Sequence, residues 1–229
     1  MPDRKPRAGF EVLCELVFRP AAHVVARALA PLRVPPPAVV LAGTATGLAA
    51  AVEIGRHSFL AAALLLQLKT VLDNADGQLA RLTGRITAFG RYLDSESDLL
   101  VDAAVFAALG LWLGPWVALA GFVVLTSVLS LNFNLERLRR GSPAGEPDSS
   151  LVARIYGLVY APQDRLAEMI VRRTPSGRTV GFAANLGLST QLAVLGLCLG
   201  LGHPGAYLVV LLLCTVMLIA LVATDRGTP

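Results

Sequence analysis

The sequence predicts an all-α integral membrane protein with six transmembrane helices, an N-terminal interfacial amphipathic helix and both termini in the cytoplasm. Three observations predict it. The 229 residues are 55% hydrophobic and 16% charged, against about 25% charged in ordinary soluble domains, and the mean hydropathy is +0.62. Apolar windows recur at 36–55, 58–80, 93–113, 115–136, 182–202 and 204–224, each long enough to cross about 30 Å of hydrocarbon as a helix. Finally, the basic residues gather in every second connection.

Taken in order, residues 1–35 form a cytoplasmic and interfacial segment and residues 36–229 a six-helix catalytic domain. The stretch 8–32 is apolar but broken by Glu11, Glu15, Arg19, Pro20 and Arg27. It suits a helix lying along the interface, with Phe10, Leu13, Val17, Val24 and Val25 toward lipid and the arginines toward phosphates. No uninterrupted apolar core precedes a small-residue cleavage site, which argues against a signal peptide. Arg56 and His57 follow the first window; Arg81, Arg85 and Arg91 separate the second from the third. A Gly114-Pro115 turn leads to the fourth. The polar stretch Arg137 to Arg178, broken early by Gly141, Pro143, Gly145 and Pro147, reads as a cytoplasmic loop at about 137–181 carrying a surface helix at 151–172. A His203-Pro204 turn joins the last two windows. With Arg4, Lys5, Arg7, Arg19, Arg27 and Arg33 ahead of the first span, the positive-inside rule puts both termini in the cytoplasm and requires an even number of spans.

Smaller features read as packing. Cys14, Cys198 and Cys214 show no metal-ligand spacing or disulfide framework. His23, His57 and His203 stand singly near interfaces or turns. Gly43-x3-Gly47 and Gly196-x3-Gly200 allow close helix contact, more simply within one bundle than between two.

The chemistry lies in five aspartates set in oily sequence: Asp73, Asp76, Asp94, Asp98 and Asp102. A carboxylate at membrane depth is costly, so it normally faces a polar cavity and has a partner. Asp73 and Asp76 are three apart and Asp94 and Asp98 four apart, which puts each pair on one helical face about 5–6 Å apart. The second span runs inward and the third outward, so the two claws meet near the cytoplasmic ends. Four carboxylates in one dry pocket repel unless cations intervene. Their hard oxygens suit Mg²⁺ or Mn²⁺, two of which clamp a phosphoryl centre in many in-line displacements.

The string Asp73-x2-Asp76-Gly77-x2-Ala80-Arg81-x8-Gly90-x3-Asp94-x3-Asp98 resembles the signature of the CDP-alcohol phosphotransferase (CDP-alcohol phosphatidyltransferase) family at every position. The resemblance implies transfer of a substituted phosphate from a CDP-linked donor to an alcohol hydroxyl, with release of CMP and two divalent cations as cofactors. It makes Asp73, Asp76, Asp94 and Asp98 metal ligands, and Asp98 also the catalytic base. It assigns CDP binding to Asp73, Gly77, Ala80 and Arg81, and implies a homodimer. These roles make physical sense. Gly77 and Ala80 leave room for a nucleotide, Gly90 permits close backbone approach, and Arg81 forks onto diphosphate oxygens.

Around that motif, Lys69 lies one turn deeper than Asp73 on the same face, and Asp102 one turn deeper than Asp98, about 12 Å beyond Asp94 at 1.5 Å per residue. Lys69 is expected to pair with Asp98 or Asp102, balancing the surplus carboxylate and orienting the base. Asn132, Asn134, Glu136 and Arg137 close the fourth span and are the acceptor-pocket candidates. The partners expected are a CDP-linked lipid donor, CDP-diacylglycerol in first place, a small alcohol and the bilayer, with no nucleic acid. The setting expected is a bacterial plasma membrane with the site on its cytoplasmic side. Inositol phosphate, glycerol phosphate and serine stay open as acceptors, as does CDP-choline or CDP-ethanolamine transfer to diacylglycerol. An ion-coupled transporter is disfavoured because the cluster sits near one face and the halves show no repeat. An inactive scaffold is disfavoured by the intact motif.

Overall fold

The computed structural model describes residues 9–140, Arg165, Met169 and 174–225, and every element among them is helical. One turn of π-helix, Cys14–Phe18, runs into α1 (Arg19–Leu29). It is followed by α2 (Pro36–Gly55), α3 (Phe59–Leu82), α4 (Ala88–Leu113), α5 (Pro115–Arg140), α6 (Gly177–Ala184), α7 (Leu188–Gly200) and α8 (Pro204–Thr224). The boundaries follow local chemistry. Pro35 is extended and Pro36 opens α2, since proline's fixed φ suits the first helical position. Thr87 caps α4, its Oγ1 accepting from the Gly90 N–H at 3.0 Å. Gly114, at φ +91, ends α4 in a conformation that favours glycine, and Pro115 starts α5.

Three helices, α2, α5 and α8, are long and apolar enough to cross a membrane; α6 and α7, bent by 46° at their junction, make a fourth if taken as one broken span. Helices α3 and α4 have the length, 24 and 26 residues. Their apolarity is interrupted by Lys69, Asp73, Asp76 and Arg81 on α3 and by Arg91, Asp94, Asp98 and Asp102 on α4. Large apolar side chains cover the outside, among them Leu212, Leu213, Val216 and Met217 of α8 and Trp116 and Leu119 of α5. So large an apolar exterior belongs to an integral membrane protein.

Helix α2 is the keystone. It packs against both α3 and α4, whereas α3 and α4 are not a closely packed pair among the described residues. The main core gathers Ile54, Leu66, Leu109, Leu125, Leu195 and Leu199 from five helices. A second cluster joins Leu131 and Leu135 of α5 to Ala183 and Leu218. At one end Trp112 Nε1 donates to Ile54 O at 3.0 Å, tying α4 to α2. The glycine stripes work inside this bundle: a Cβ at Gly47 would meet Val101 Cγ1 at 2.5 Å, and one at Gly200 would meet Ala63 Cβ at 3.9 Å.

Three expectations change. The window at 182–202 is not one straight helix: α6 stops at Ala184 and α7 starts at Leu188. The break holds the N-terminal segment. Asn185 Nδ2 donates to Phe10 O and its Oδ1 accepts from Val12 N–H, both at 2.9 Å, and Gly187 lies against Glu11. The N-terminal segment is therefore more than a surface helix. Phe10, Leu13, Val17 and Val24 are exposed and Val25 is half-buried, but Glu11, Cys14, Phe18, Ala22 and Ala26 are buried against the bundle. Arg19 pairs with Glu15 at 2.7 Å, a partner within its own helical turn. Helix α5 extends to Arg140, beyond the expected loop start. Apart from Arg165 and Met169, helical and exposed, the expected surface helix at 151–172 lies outside the described residues.

Candidate functional site

The site is built on α2. A Cβ at Gly43 would come within 2.8 Å of Asp73 Oδ1, so glycine there lets α3 seat its first motif carboxylate directly against α2. One turn later Gly47 does the same for Val101 of α4. The two carboxylate claws thus face each other across a gap that α2 spans from behind.

Lys69 bridges that gap. Its side chain is 1% exposed, and its ammonium donates to Asp73 Oδ2 on its own helix and to Asp98 Oδ1 on α4 at 2.5 Å. Of the two expected partners the structure chooses Asp98 and adds Asp73. Asp102 is 3% exposed, lies within electrostatic range of Lys69, Asp98 and Asp73, and makes no hydrogen bond to the described residues. Asp76 is buried and in electrostatic range of Asp94, Asp73 and Asp98, while its Oδ2 finds no hydrogen-bond partner.

A cavity of about 250 Å³ opens beside the gap. Asp73, Asp94 and Asp98 line it from α3 and α4, Asn132 and Glu136 from α5, and Ser189 from α7. Asn132 and Glu136 are four apart and share a helix face. Asn134 does not join them. It is 1% exposed and donates to Ser130 O at 3.0 Å, because two residues along a helix turn the side chain to nearly the opposite side. Arg137, one position past Glu136, is absent from the described wall. The other CDP candidates lie further along α3: the Arg81 guanidinium sits over Gly77, 3.3 Å from where a Cβ would be, and Ala80 is half-buried beside it. Gly90 serves locally as the partner of the Thr87 cap.

Some wall residues were not among the sequence candidates. Glu11, 2% exposed, accepts from Thr190 N–H and Oγ1 at 3.3 and 3.1 Å and lines the cavity. Asn74 donates to Thr70 O at 2.8 Å and to Ser189 Oγ at 3.4 Å, and accepts from Cys14 Sγ at 3.2 Å. An acid in an apolar run was the one signal for Glu11. Ser189 carried none.

Among the described residues no three His, Cys, Asp or Glu side chains are gathered closely enough to hold an ion. The donor set nevertheless fits a hard divalent cation: it is all carboxylate oxygen, and the orphaned Asp76 Oδ2 is a buried acceptor in want of a cation.

The family model described as CDP-alcohol phosphatidyltransferase matches residues 34–224. The chain belongs to this family. The chain is 37% identical over 138 residues to the bifunctional IPC transferase and DIPP synthase of Aquifex aeolicus and 33% over 87 residues to the archaetidylinositol phosphate synthase of Pyrococcus horikoshii. It is 38% identical over 80 residues to the phosphatidylinositol phosphate synthase of Streptomyces avermitilis. These matches take in 58%, 38% and 34% of this chain, and span only 31%, 46% and 33% of those proteins' lengths. Two solved structures of the Mycobacterium tuberculosis phosphatidylinositol phosphate synthase, one with CDP-DAG bound and one in complex with manganese and citrate, also align. They cover 92% and 90% of this chain and 95% and 90% of their own, at 21% and 20% identity and TM-scores of 0.47 and 0.49. The matched region takes in the string from Asp73 to Asp98.

Proposed function

We propose that this CDP-alcohol phosphatidyltransferase moves the phosphatidyl group of CDP-diacylglycerol to the hydroxyl of a small alcohol, releasing CMP, in phospholipid biosynthesis. One observation carries the reading: Asp73 from α3 and Asp94 and Asp98 from α4 meet on the wall of one cavity. Two divalent cations, Mg²⁺ or Mn²⁺, held by Asp73, Asp76, Asp94 and Asp98 would supply the positive charge that polarises the phosphoryl centre and stabilises departing CMP.

The protein's own groups do the rest. Asp98 takes the proton of the acceptor hydroxyl as the bond from that oxygen to phosphorus forms and the bond from phosphorus to the CMP oxygen breaks. Arg81 forks onto the diphosphate, while Gly77 and Ala80 leave the helix surface bare for the nucleotide. Asn132 and Glu136 are the acceptor-side groups, with Arg137 at the rim. The names of the relatives make a phosphorylated inositol the first alcohol to try, ahead of glycerol phosphate and serine.

The same reading holds residues 1–35 as an interfacial segment and 36–229 as a catalytic domain of six spans, α3 and α4 being the charged pair. Both termini and the site face the cytoplasm of a bacterial plasma membrane, and the protein works as a homodimer. Labelling of single cysteines placed at Gly114 and Gly84 with an impermeant reagent tests the topology; modification of both from one side would refute it.

The activity is tested with purified protein, radiolabelled CDP-diacylglycerol, Mn²⁺ or Mg²⁺ and the alcohol panel, following CMP and lipid product together. Metal-dependent CMP release matched by lipid product is expected. No release with any acceptor, from protein that stays folded, would sink the proposal.

A further inference from the structure

On the two helices that carry the family motif, two buried ionisable groups stand outside it, Lys69 and Asp102, and the motif chemistry gives neither a task. Their surroundings do. The Lys69 ammonium joins Asp73 to Asp98, one carboxylate from each claw, and so occupies the place between the claws that a cation bound by both would need. With side chains 1% and 25% exposed, the Lys69–Asp98 pair is largely shielded from solvent. A lysine so enclosed keeps its charge only while it has an anionic partner. Asp102 is enclosed too, at 3% exposure, and no described residue hydrogen-bonds its carboxylate. It sits four residues beyond Asp98 on α4, which places the two carboxylates on one face about 5–6 Å apart.

We propose that Lys69 and Asp102 form a metal-coupled ion-pair exchange: divalent cations entering the site take Asp73 and Asp98, and the displaced Lys69 ammonium turns one helical turn deeper to pair with Asp102. The inference rests on reading the motif aspartates as the metal site. Lysine suits the part, because its charge is a point on a flexible four-carbon stem with rotatable donors. Swinging between carboxylates one turn apart leaves the α3 backbone where it is. The exchange also balances charge once the metals are bound. Without metal, one ammonium joins the two claws across helices that, among the described residues, are not closely packed on each other but both pack against α2. With two divalent ions on the four motif carboxylates, Lys69 and Asp102 remain as a neutral pair beneath them. Asp102 is thereby a positioning residue: it touches neither substrate nor metal, and acts by receiving the lysine.

The test is a double-mutant cycle read by Mn²⁺ binding, counted by electron paramagnetic resonance on purified full-length protein in detergent. Asp102→Asn leaves the displaced ammonium buried without a partner, so Mn²⁺ affinity is expected to fall about tenfold or more. In the Lys69→Met background no ammonium has to be rehoused. Mn²⁺ then binds more tightly than in the unaltered chain, and adding Asp102→Asn costs less than about threefold. Equal losses on Asp102→Asn in both backgrounds would show Asp102 acting on the metals merely as a nearby charge, and would overturn the exchange. So would one Mn²⁺ per unaltered chain rising to two in Lys69→Met, which would mean that the lysine never leaves.

Should Lys69→Met fail to fold, infrared difference spectra with and without Mn²⁺ need only the unaltered chain and Asp102→Asn. A metal-induced carboxylate band present in the first and missing in the second supports the exchange; identical difference spectra overturn it. No bound Mn²⁺ in the folded, unaltered chain would overturn the metal site and the exchange together, whereas bound Mn²⁺ with no coupling overturns the exchange alone.

Discussion

Gly43→Ala is the substitution that most directly tests how the bundle positions its carboxylates. The added Cβ would stand 2.8 Å from Asp73 Oδ1, so the carboxylate must retreat by about 0.5 Å to reach ordinary contact. It cannot retreat freely, because its other oxygen is held by Lys69, itself bonded to Asp98. Misplacing a reacting constellation by 1 Å costs about a hundredfold in rate, so half that displacement costs about tenfold. Gly47→Ala, one turn away on the same helix, is the comparison. Its Cβ would meet Val101 Cγ1 and Cγ2 at 2.5 and 2.8 Å, which is overpacking of core, with a stability cost of about 1–3 kcal/mol and a smaller loss of turnover per folded molecule. The assay is CMP release at saturating CDP-diacylglycerol beside a thermal melt in detergent for each variant. Full turnover in Gly43→Ala, or a turnover loss larger in Gly47→Ala, would refute the account of α2 as the seat of Asp73.

Other outcomes follow from the same geometry. Asp98→Asn should lower turnover by about 10²–10⁴-fold, the usual worth of a positioned base, while competition by CMP shows nucleotide binding largely kept; a loss of binding of the same size would make Asp98 chiefly a metal ligand. Arg81→Lys, which replaces a fork by a point charge, should raise KM for the CDP donor about tenfold with kcat little changed, and an unchanged KM would remove Arg81 from the diphosphate site. Thr87→Ala deletes the cap on the Gly90 N–H and should cost about 1 kcal/mol, seen as a lower melting temperature. Glu11→Ala strips the acceptor from Thr190 and should speed amide exchange over residues 10–18; unchanged exchange would show that Glu11 does not anchor the segment.

Much of the candidate site was legible along the chain because its signals are local. An aspartate in hydrocarbon is so costly that five of them demand an explanation, and spacings of three and four along a helix put Asp73 with Asp76 and Asp94 with Asp98 without knowledge of any other element. The same locality explains the shortfall among the acceptor-pocket candidates. Asn132, Asn134 and Glu136 are near neighbours in sequence, yet helix rotation sends Asn134 into the core at 1% exposure while Asn132 and Glu136 reach the cavity. The break at Asn185 to Gly187 was hidden inside an apolar window for a related reason: what favours it is Glu11 and Phe10, some 175 residues away.

Composition and spacing, then, determined by themselves that this is a helical membrane protein carrying a two-claw carboxylate motif, because burial cost and helical period act within a few residues of chain. Only the tertiary structure decided how the claws are held. It is α2, through Gly43 and Gly47, that seats α3 and α4, and the Lys69 ammonium lies between Asp73 and Asp98 while Asp102 waits one turn below. Those choices turn on distances between elements, and the order of residues along one helix does not contain them.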